Sequence, residues 1–403
     1  MTDVNKKNVM IFLLIITLLT LCVRNVAVAS KSNYSTPYYN SARHTGDYST
    51  AAMVSTSNGI LNRKYATNGC VTSSATFNSV VYIGSDDYNV YALNASTGTK
   101  VWNYTTGYMV PSSPTVANGI VYIGSMDDNV YALNATTGMG IWSYNTGDIV
   151  YSSPTVANGI VYVGSFDHNV YALSAATGTK VWSYKTGDAV YSSPTVANGI
   201  VYIGSHDHNV YALSAKTGMK MWNYTTTDFV FSEPAVANRI VYIGSWDGNV
   251  YALNANTGTK VWSYKAGGEF LAHTSPTVAD GIVYIGSMDH NVYALNARTG
   301  VKMWNYTTGD SVAPSPTVAD GIVYVGSDDK NVYALNATTG TKLWNYTAGN
   351  KVESSATVAD GIVCVGSDDY NVYALNATTG MKVWSYATGS RVESSATFAN
   401  VIG

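Results

Sequence analysis

Charge is scarce in this sequence. Only 12% of its 403 residues are Asp, Glu, Lys or Arg, and the formal net charge is −3. The chain therefore has no basic field to neutralise a phosphate backbone, and we expect no nucleic acid partner. The Ala, Glu, Lys and Leu enrichment of helical bundles is also absent, whereas 33 Tyr and 36 Gly are present. These shortages exclude a disordered acidic chain and a helical bundle, and they leave a β-rich globular protein.

Cysteine is almost as scarce. Cys22 lies in the N-terminal apolar segment, and Cys70 and Cys364 are the other two. Those two do not occupy equivalent positions of the repeat described below, so one disulfide and two unpaired buried thiols both remain open.

The first 29 residues have the three parts of a secretory signal. Lys6 and Lys7 precede an apolar run at 9–23, and a small-residue cleavage site follows at 27–29. The run is shorter than the ~20 residues that span a bilayer, which predicts a cleaved signal peptide. Arg24 lies between the apolar run and the cleavage site, so a retained membrane anchor is the alternative. This segment is the only membrane contact we expect. Residues 30–59 then form an exported linker, and the predicted location is secreted or at the cell surface.

Nine Asn-x-Ser/Thr sequons agree with export and predict a glycoprotein. Duplication of two short motifs, Asn-Ala-Thr and Trp-Asn-Tyr-Thr, explains most of them equally well. The sequons are at Asn33, Asn94, Asn103, Asn134, Asn223, Asn305, Asn336, Asn345 and Asn376.

A unit of about 40 residues recurs eight times. Tyr-Ala-Leu repeats with a spacing of 40 that is broken once by 42, and a Trp follows eleven residues later each time. The unit contains four short segments of strand character separated by turn residues, as at 152–187, and no helical periodicity. Four strands per ~40 residues predict an all-β, eight-bladed β-propeller of four-stranded antiparallel blades over residues 60–403, with partial strands at both ends. The eight tryptophans are Trp102, Trp142, Trp182, Trp222, Trp262, Trp304, Trp344 and Trp384.

The turns follow from local chemistry. Ala-Asn-Gly, as at 157–159, predicts a two-residue hairpin with positive φ. Asp-x-Asn, as at 247–249, predicts a type I turn closed by a left-handed Asn.

The segment 92–102, Ala-Leu-Asn-Ala-Ser-Thr-Gly-Thr-Lys-Val-Trp, resembles the tryptophan-docking motif of the pyrroloquinoline quinone (PQQ)-like propeller repeat family. That family includes quinoprotein alcohol dehydrogenases and BamB-type outer-membrane assembly propellers. The uninterrupted array is most similar to repeat-only surface proteins of methanogenic archaea. The sequence departs from the motif by having Asn for its Asp. The resemblance implies that each Trp docks on the next blade, burying a ring that one blade alone cannot cover.

Both ends of the array carry an extra strand. Residues 62–68 align with a fourth strand, and residues 394–400 repeat a first strand. One of these overhangs is expected to complete the ring by strand exchange between the termini, and the sequence leaves open which.

Variation between repeats is confined to the second-to-third turn and the connection to the next blade. These segments share one face of a propeller, which is how loop-borne recognition is arranged on a fixed scaffold. Neutral drift of exposed turns would leave the same pattern. The predicted binding rim is Tyr151, Tyr191, Phe231, Trp246, Glu269, Phe270 and His273, and His168, His206 and His208 form a weaker metal candidate.

The resemblance also implies what an enzyme would need. A quinoprotein dehydrogenase would require an adjacent cysteine pair, a Ca²⁺ site of Glu and Asn, a catalytic Asp and long insertions. No two cysteines are adjacent, and the only insertion is two residues long. We therefore expect no catalytic residue and no cofactor, and predict a monomeric, non-catalytic scaffold that binds a protein or glycan at the cell surface. A PQQ/Ca-dependent dehydrogenase and a BamB-like assembly platform are the alternatives.

Overall fold

The computed structural model describes residues 79–267 and 274–400. Within these ranges the regular structure consists of eight four-stranded antiparallel sheets arranged as a ring. The predicted eight-bladed propeller is confirmed. No helix of the described ranges is long and apolar enough to cross a membrane. The predicted signal peptide, the linker at 30–59, Asn33 and Cys70 lie outside the described residues.

Each blade contains four strands that are numbered from the ring axis outwards. The innermost strands are Thr397–Asn400, Thr115–Ala117, Thr155–Ala157, Thr195–Ala197, Ala235–Ala237, Thr277–Ala279, Thr317–Ala319 and Thr357–Ala359 for blades 1 to 8. The second strands are Ser79–Gly84, Ile120–Gly124, Ile160–Gly164, Ile200–Gly204, Ile240–Gly244, Ile282–Gly286, Ile322–Gly326 and Ile362–Gly366. The third strands are Asn89–Asn94, Asn129–Asn134, Asn169–Ser174, Asn209–Ser214, Asn249–Asn254, Asn291–Asn296, Asn331–Asn336 and Asn371–Asn376. The outer strands are Lys100–Thr105, Gly140–Asn145, Lys180–Lys185, Lys220–Thr225, Lys260–Lys265, Lys302–Thr307, Lys342–Thr347 and Lys382–Ala387.

The hydrophobic core lies between neighbouring blades. One cluster packs Tyr82, Val90 and Trp102 of blade 1 against Ile123 and Leu133 of blade 2, and equivalent clusters fill the other interfaces. The middle of the third strand is buried on both sides, because each sheet is covered by a blade on either face. The outer strand is mostly exposed apart from its Trp. No blade covers its own apolar surface, so the ring must close to complete the core.

The Ala-Asn-Gly hairpins agree with the sequence prediction, since Asn118 and Gly119 have φ values of 50° and 74°. The prediction for Asp-x-Asn is wrong in its detail. The left-handed residue is the middle one, such as Tyr88 with φ 72°, and Asn89 begins the next strand. The reason is that the Asn89 amide donates to Asp87 Oδ1 at 3.1 Å, which fixes the Asn in the strand conformation and leaves the reversal to the residue before it.

The C-terminal overhang closes the ring. Thr397–Asn400 pairs with Ser79–Gly84, with Thr397 opposite Tyr82 and Phe398 opposite Val81. The motif Val-x-Ser-Ser-Ala-Thr-Phe occurs both at 392–398 and at 71–77. The aligned Thr and Tyr are seven positions apart in blades such as that of Thr115 and Tyr122, whereas the corresponding pair at 76 and 82 is only six positions apart. The N-terminal copy is therefore too short for the two-residue hairpin of the other blades, and the C-terminal copy has no such restriction.

Candidate binding face

The repeated tryptophans join each blade to the next. The Trp102 indole N–H donates to the Ala135 carbonyl at 2.9 Å, and the Tyr82 hydroxyl donates to the same oxygen at 2.8 Å. A Cβ on Gly138 would lie 2.7 Å from Trp102 Cδ2, so only glycine admits the ring. The last interface closes in the same way through Trp384 and the Ala95 carbonyl at 2.7 Å. Cys364 replaces the tyrosine there, as a fully buried free thiol. These eight tryptophans are thus occupied in holding the scaffold.

Hydrogen bonds define two faces of the ring. On one face, each second-to-third turn contacts the connection from the preceding blade, as where the Met126 amide donates to the Met109 carbonyl at 2.9 Å. On the other, the remaining two turns meet, as where the Ala135 amide donates to the Gly119 carbonyl at 2.8 Å. The first face, called the variable face below, carries the positions at which the repeats differ.

An aromatic cluster covers blades 3 to 5 of the variable face. The rings of Tyr151 and Tyr191 stack with centroids 4.2 Å apart, and the rings of Phe231 and Trp246 lie 4.8 Å apart. His206 lies between Tyr191 and Phe231, at 5.8 and 4.2 Å. Four of the predicted rim residues are thereby brought together: Tyr151, Tyr191, Phe231 and Trp246. The other three, Glu269, Phe270 and His273, lie outside the described residues.

The three histidines proposed as metal ligands do not form a cluster. Burial lowers the pKa of His206 to about 4, so its ring is neutral and packs as an aromatic side chain. His208 packs edge-on against Phe229, and His168 Nε2 lies 3.6 Å from Asp188 Oδ1. In the described ranges, the cluster that could share an ion is instead Glu353, Asp368 and Glu393. In this part of the chain the three histidines thus belong to no group of three ligand atoms within 4.8 Å, because the turns carry their rings toward aromatic and acidic neighbours.

Blades 7, 8 and 1 carry a charged cluster on the same face. Each of Glu353, Asp368 and Glu393 offers a carboxylate oxygen within 4.8 Å of the other two. Lys351 Nζ lies 3.6 Å from Glu353 Oε1, and Arg391 Nη1 lies 3.4 Å from Glu393 Oε1. Two further carboxylates pair with the same cations: Asp328 with Lys351 at 2.7 Å, and Asp86 with Arg391 at 3.5 Å. Five carboxylates thus share two cations.

Burial and mutual repulsion keep these carboxyl groups partly protonated. Burial, reinforced by Asp368 and Glu393, raises the pKa of Glu353 to about 10. Burial also raises the pKa of Asp86 and of Asp368 to about 6, against the lowering effect of Arg391. Carboxyl groups this close cannot all ionise together, so the cluster holds protons at neutral pH and would give them up to a cation.

The two clusters meet at a cavity of about 170 Å³. Tyr108, Tyr151, Phe166 and Tyr191 contribute aromatic walls, and Asp86 and Glu393 contribute carboxylates. The Tyr151 hydroxyl donates to Glu393 Oε2 at 3.3 Å and so ties the aromatic cluster to the charged one across the mouth of the ring.

The division of the variable face into an aromatic and a charged half was not among the predictions from sequence. A signal was present two residues after each second strand. That position holds Met126, Phe166, His206 and Trp246 in blades 2 to 5, and Asp328, Asp368 and Asp86 in blades 7, 8 and 1. Taking these positions in blade order would have separated the two halves. It would not have predicted which carboxylates lie within contact distance.

Within residues 79–267 and 274–400, the variable face has no counterpart of the adjacent cysteine pair that the resemblance implies beside a quinone. Cys364 belongs to the cluster between blades 8 and 1 and is fully buried, and no second cysteine adjoins it in the sequence. The described residues therefore do not fit the quinone site that the PQQ-like repeat implies.

The fold and site define a class: an eight-bladed propeller whose blades are joined by docked tryptophans and whose differences are gathered on one face. Four successive segments, 55–153, 146–232, 226–318 and 308–402, match the family described as outer membrane protein assembly factor BamB. The chain belongs to that repeat family. Among curated protein sequences, none matches significantly.

Solved structures show the same fold. BamB from Moraxella catarrhalis is 22% identical with a TM-score of 0.62, over 70% of this chain and 89% of that protein. The computationally designed Ika8 protein is 18% identical with a TM-score of 0.64, over 72% and 96%. A quinohemoprotein alcohol dehydrogenase from Pseudomonas putida HK5 is 18% identical with a TM-score of 0.62, over 79% and 70%. At these identities the likeness extends to the fold alone. The resemblance to surface proteins of methanogenic archaea stays a prediction.

Proposed function

We propose that this protein is a non-catalytic, extracytoplasmic binding scaffold that holds a protein or glycan partner on its variable face. The observation that carries the proposal is the aromatic cluster around Tyr191, Phe231 and Trp246. Tyr191 and Phe231 are each 5% exposed, and Phe229 and Trp246 are partly exposed beside them. Aromatic side chains that line a concave site are typical of recognition surfaces. The repeated scaffold does not need them, since the equivalents of Phe231 and Trp246 are Ala313 and Asp328 in blade 7 and Glu353 and Asp368 in blade 8.

The positions of the sequons are compatible with partner binding on the variable face. The eight in the described ranges lie at turns of the opposite face, such as Asn94 and Asn134, or on outer strands, such as Asn103 and Asn223. Glycans attached there would leave the variable face accessible. A secreted or cell-surface location is part of the same proposal.

Binding to intact cells and to glycan arrays tests the proposal. Trp246→Ala and Phe229→Ala each remove a large anchor, and we expect binding to fall at least about tenfold. Met219→Ala is the matched control, because Met219 lies in an opposite-face turn and is 70% exposed. Unchanged binding in both variable-face variants, or an equal loss in the control, would contradict the proposal.

Family membership favours a second candidate, an assembly platform that captures an extended partner strand. Among the described residues, each outer strand is the last strand of its sheet, and an extended partner strand could add to its free edge. Binding of a partner strand at that edge would persist in the Trp246→Ala variant. Binding at the aromatic cluster would be lost in that variant. The dehydrogenase alternative is tested by calorimetry with PQQ and Ca²⁺ together with dye-linked alcohol oxidation. Tight binding with turnover would replace the scaffold proposal.

A further inference from the structure

The cavity between the two clusters has a composition that selects one kind of ligand. Its volume of about 170 Å³ is below the roughly 300–1,000 Å³ of sites for drug-sized ligands. It is therefore suited to one side chain rather than to a cofactor. The stacked rings of Tyr151 and Tyr191, with Phe166 5.5 Å from Tyr191, give it aromatic walls.

The acidic end of the cavity has unused hydrogen-bonding capacity. Asp86 and Glu393 are 6% and 3% exposed, so both are more than nine-tenths buried. Asp86 Oδ2 and Glu393 Oε1 accept no hydrogen bond within the described ranges. The nearest cation is Arg391, at 3.5 and 3.4 Å, and it serves both carboxylates. An N–H donor of a ligand that enters the cavity would supply the missing hydrogen bonds to these two oxygens.

The charge balance excludes the other ligand classes. Burial raises the pKa of Glu353 and of Glu393, and with those two groups protonated three aspartates still face two cations, so an anionic ligand would meet a surplus of acidic groups at close range. A neutral apolar side chain would fill the aromatic walls but leave the buried carboxylate oxygens without donors. A cationic side chain fits both the aromatic walls and the acidic end of the cavity, because aromatic faces and carboxylates each attract a cation.

We propose that this cavity binds a lysine or arginine side chain of a protein partner. The inference rests on the proposed function and narrows the partner to a protein that presents a cationic anchor. The aromatic walls would enclose the alkyl or guanidinium part, and Asp86 and Glu393 would accept hydrogen bonds from its charged end.

The experiment compares defined probes on the full chain by calorimetry and ligand-observed NMR. The probes are short blocked peptides with a central Lys or Arg and their neutral counterparts with norleucine or citrulline. We expect the cationic peptides to bind at least about tenfold more tightly. Asp86→Asn should abolish that preference, and so should Phe166→Leu, which keeps an apolar side chain but removes the ring face. Phe166→Tyr should restore it.

The chain supplies a matched control. Asp320 is exposed in the opposite-face hairpin of blade 7, at the position that Asn118 holds in blade 2, and it does not line the cavity. Asp320→Asn should change the preference less than twofold. Equal binding of cationic and neutral peptides would overturn the inference, and so would tetramethylammonium alone binding as tightly as the lysine peptide. If either result occurs while Trp246→Ala still weakens cell binding, the cationic anchor fails and the proposed function stands. If cell binding is insensitive to both variable-face variants, the proposed function fails as well.

Discussion

Replacing Phe398 tests whether the C-terminal strand closes the ring. Phe398 is 4% exposed and packs with Val81, Leu93 and Trp384 in the cluster between blades 8 and 1. Phe398→Ala should lower the free energy of unfolding by about 3–5 kcal/mol, the usual loss for a buried Phe. At roughly 2 °C per kcal/mol, the lower end of the range for domains of 150–250 residues, the melting temperature should fall by at least about 6 °C.

Phe77→Ala is the matched control, because Phe77 is the last residue of the same heptapeptide at 71–77. Calorimetry should show little change in that variant, and hydrogen exchange at the Val81 and Tyr82 amides should accelerate only in Phe398→Ala. If Phe77→Ala is the destabilised variant and Phe398→Ala is not, the N-terminal copy closes the ring and the pairing of Thr397–Asn400 with Ser79–Gly84 is refuted.

Three further predictions concern the scaffold and the charged cluster, and each is measured by thermal or urea unfolding. Gly138→Ala should destabilise the folded protein by about 1–3 kcal/mol more than Gly119→Ala. Both residues have φ near 74°, but only a Cβ at 138 meets the Trp102 ring. Equal losses of stability would mean that the contact with the ring contributes nothing. Tyr202→Phe should lower the free energy of unfolding by about 0.5–1.5 kcal/mol, because the Tyr202 hydroxyl donates to the Ala255 carbonyl at 3.1 Å. An unchanged stability would show that the hydrogen bond from Trp222 to the same oxygen is sufficient. Burial raises the pKa of Glu353 to about 10 from an ordinary 4.5, so the folded state binds this proton more tightly and stability declines as pH rises through that interval. Glu353→Gln should therefore stabilise the protein at pH 8 and have little effect near pH 4.5, and a gain that is the same at both pH values would contradict the shifted pKa.

Much of the fold followed from local pattern. The forty-residue period, the Asn-Gly hairpins and the Trp eleven residues after each Tyr-Ala-Leu predicted the blades and their number. The left-handed residue of the Asp-x-Asn turn was predicted one position too late. Asn accepts that conformation in isolation, but the hydrogen bond from the Asn89 amide to Asp87 holds Asn89 in the strand and leaves the left-handed conformation to Tyr88.

The site was less accessible to sequence. Tyr151, Tyr191, Phe231 and Trp246 could be proposed as neighbours, because equivalent positions of adjacent blades lie side by side in a ring. The histidines looked equally close in sequence, yet His206 is enclosed by aromatic rings whereas His168 faces Asp188. Side-chain direction at a turn depends on the neighbouring blade, which the pattern does not encode.

The sequence alone determined the repeat, the strand order within a blade and the face on which the repeats differ, because these depend on contacts within about forty residues. Only the tertiary structure decided which terminus completes blade 1, and only it brought Asp86 against Arg391 and Tyr151 against Glu393. Those pairs are separated by most of the chain, and the closing heptapeptide at 392–398 has a near-identical copy at 71–77 in the sequence. Local propensity is nearly the same in both copies, so closure by the C-terminal one depends on long-range register and packing.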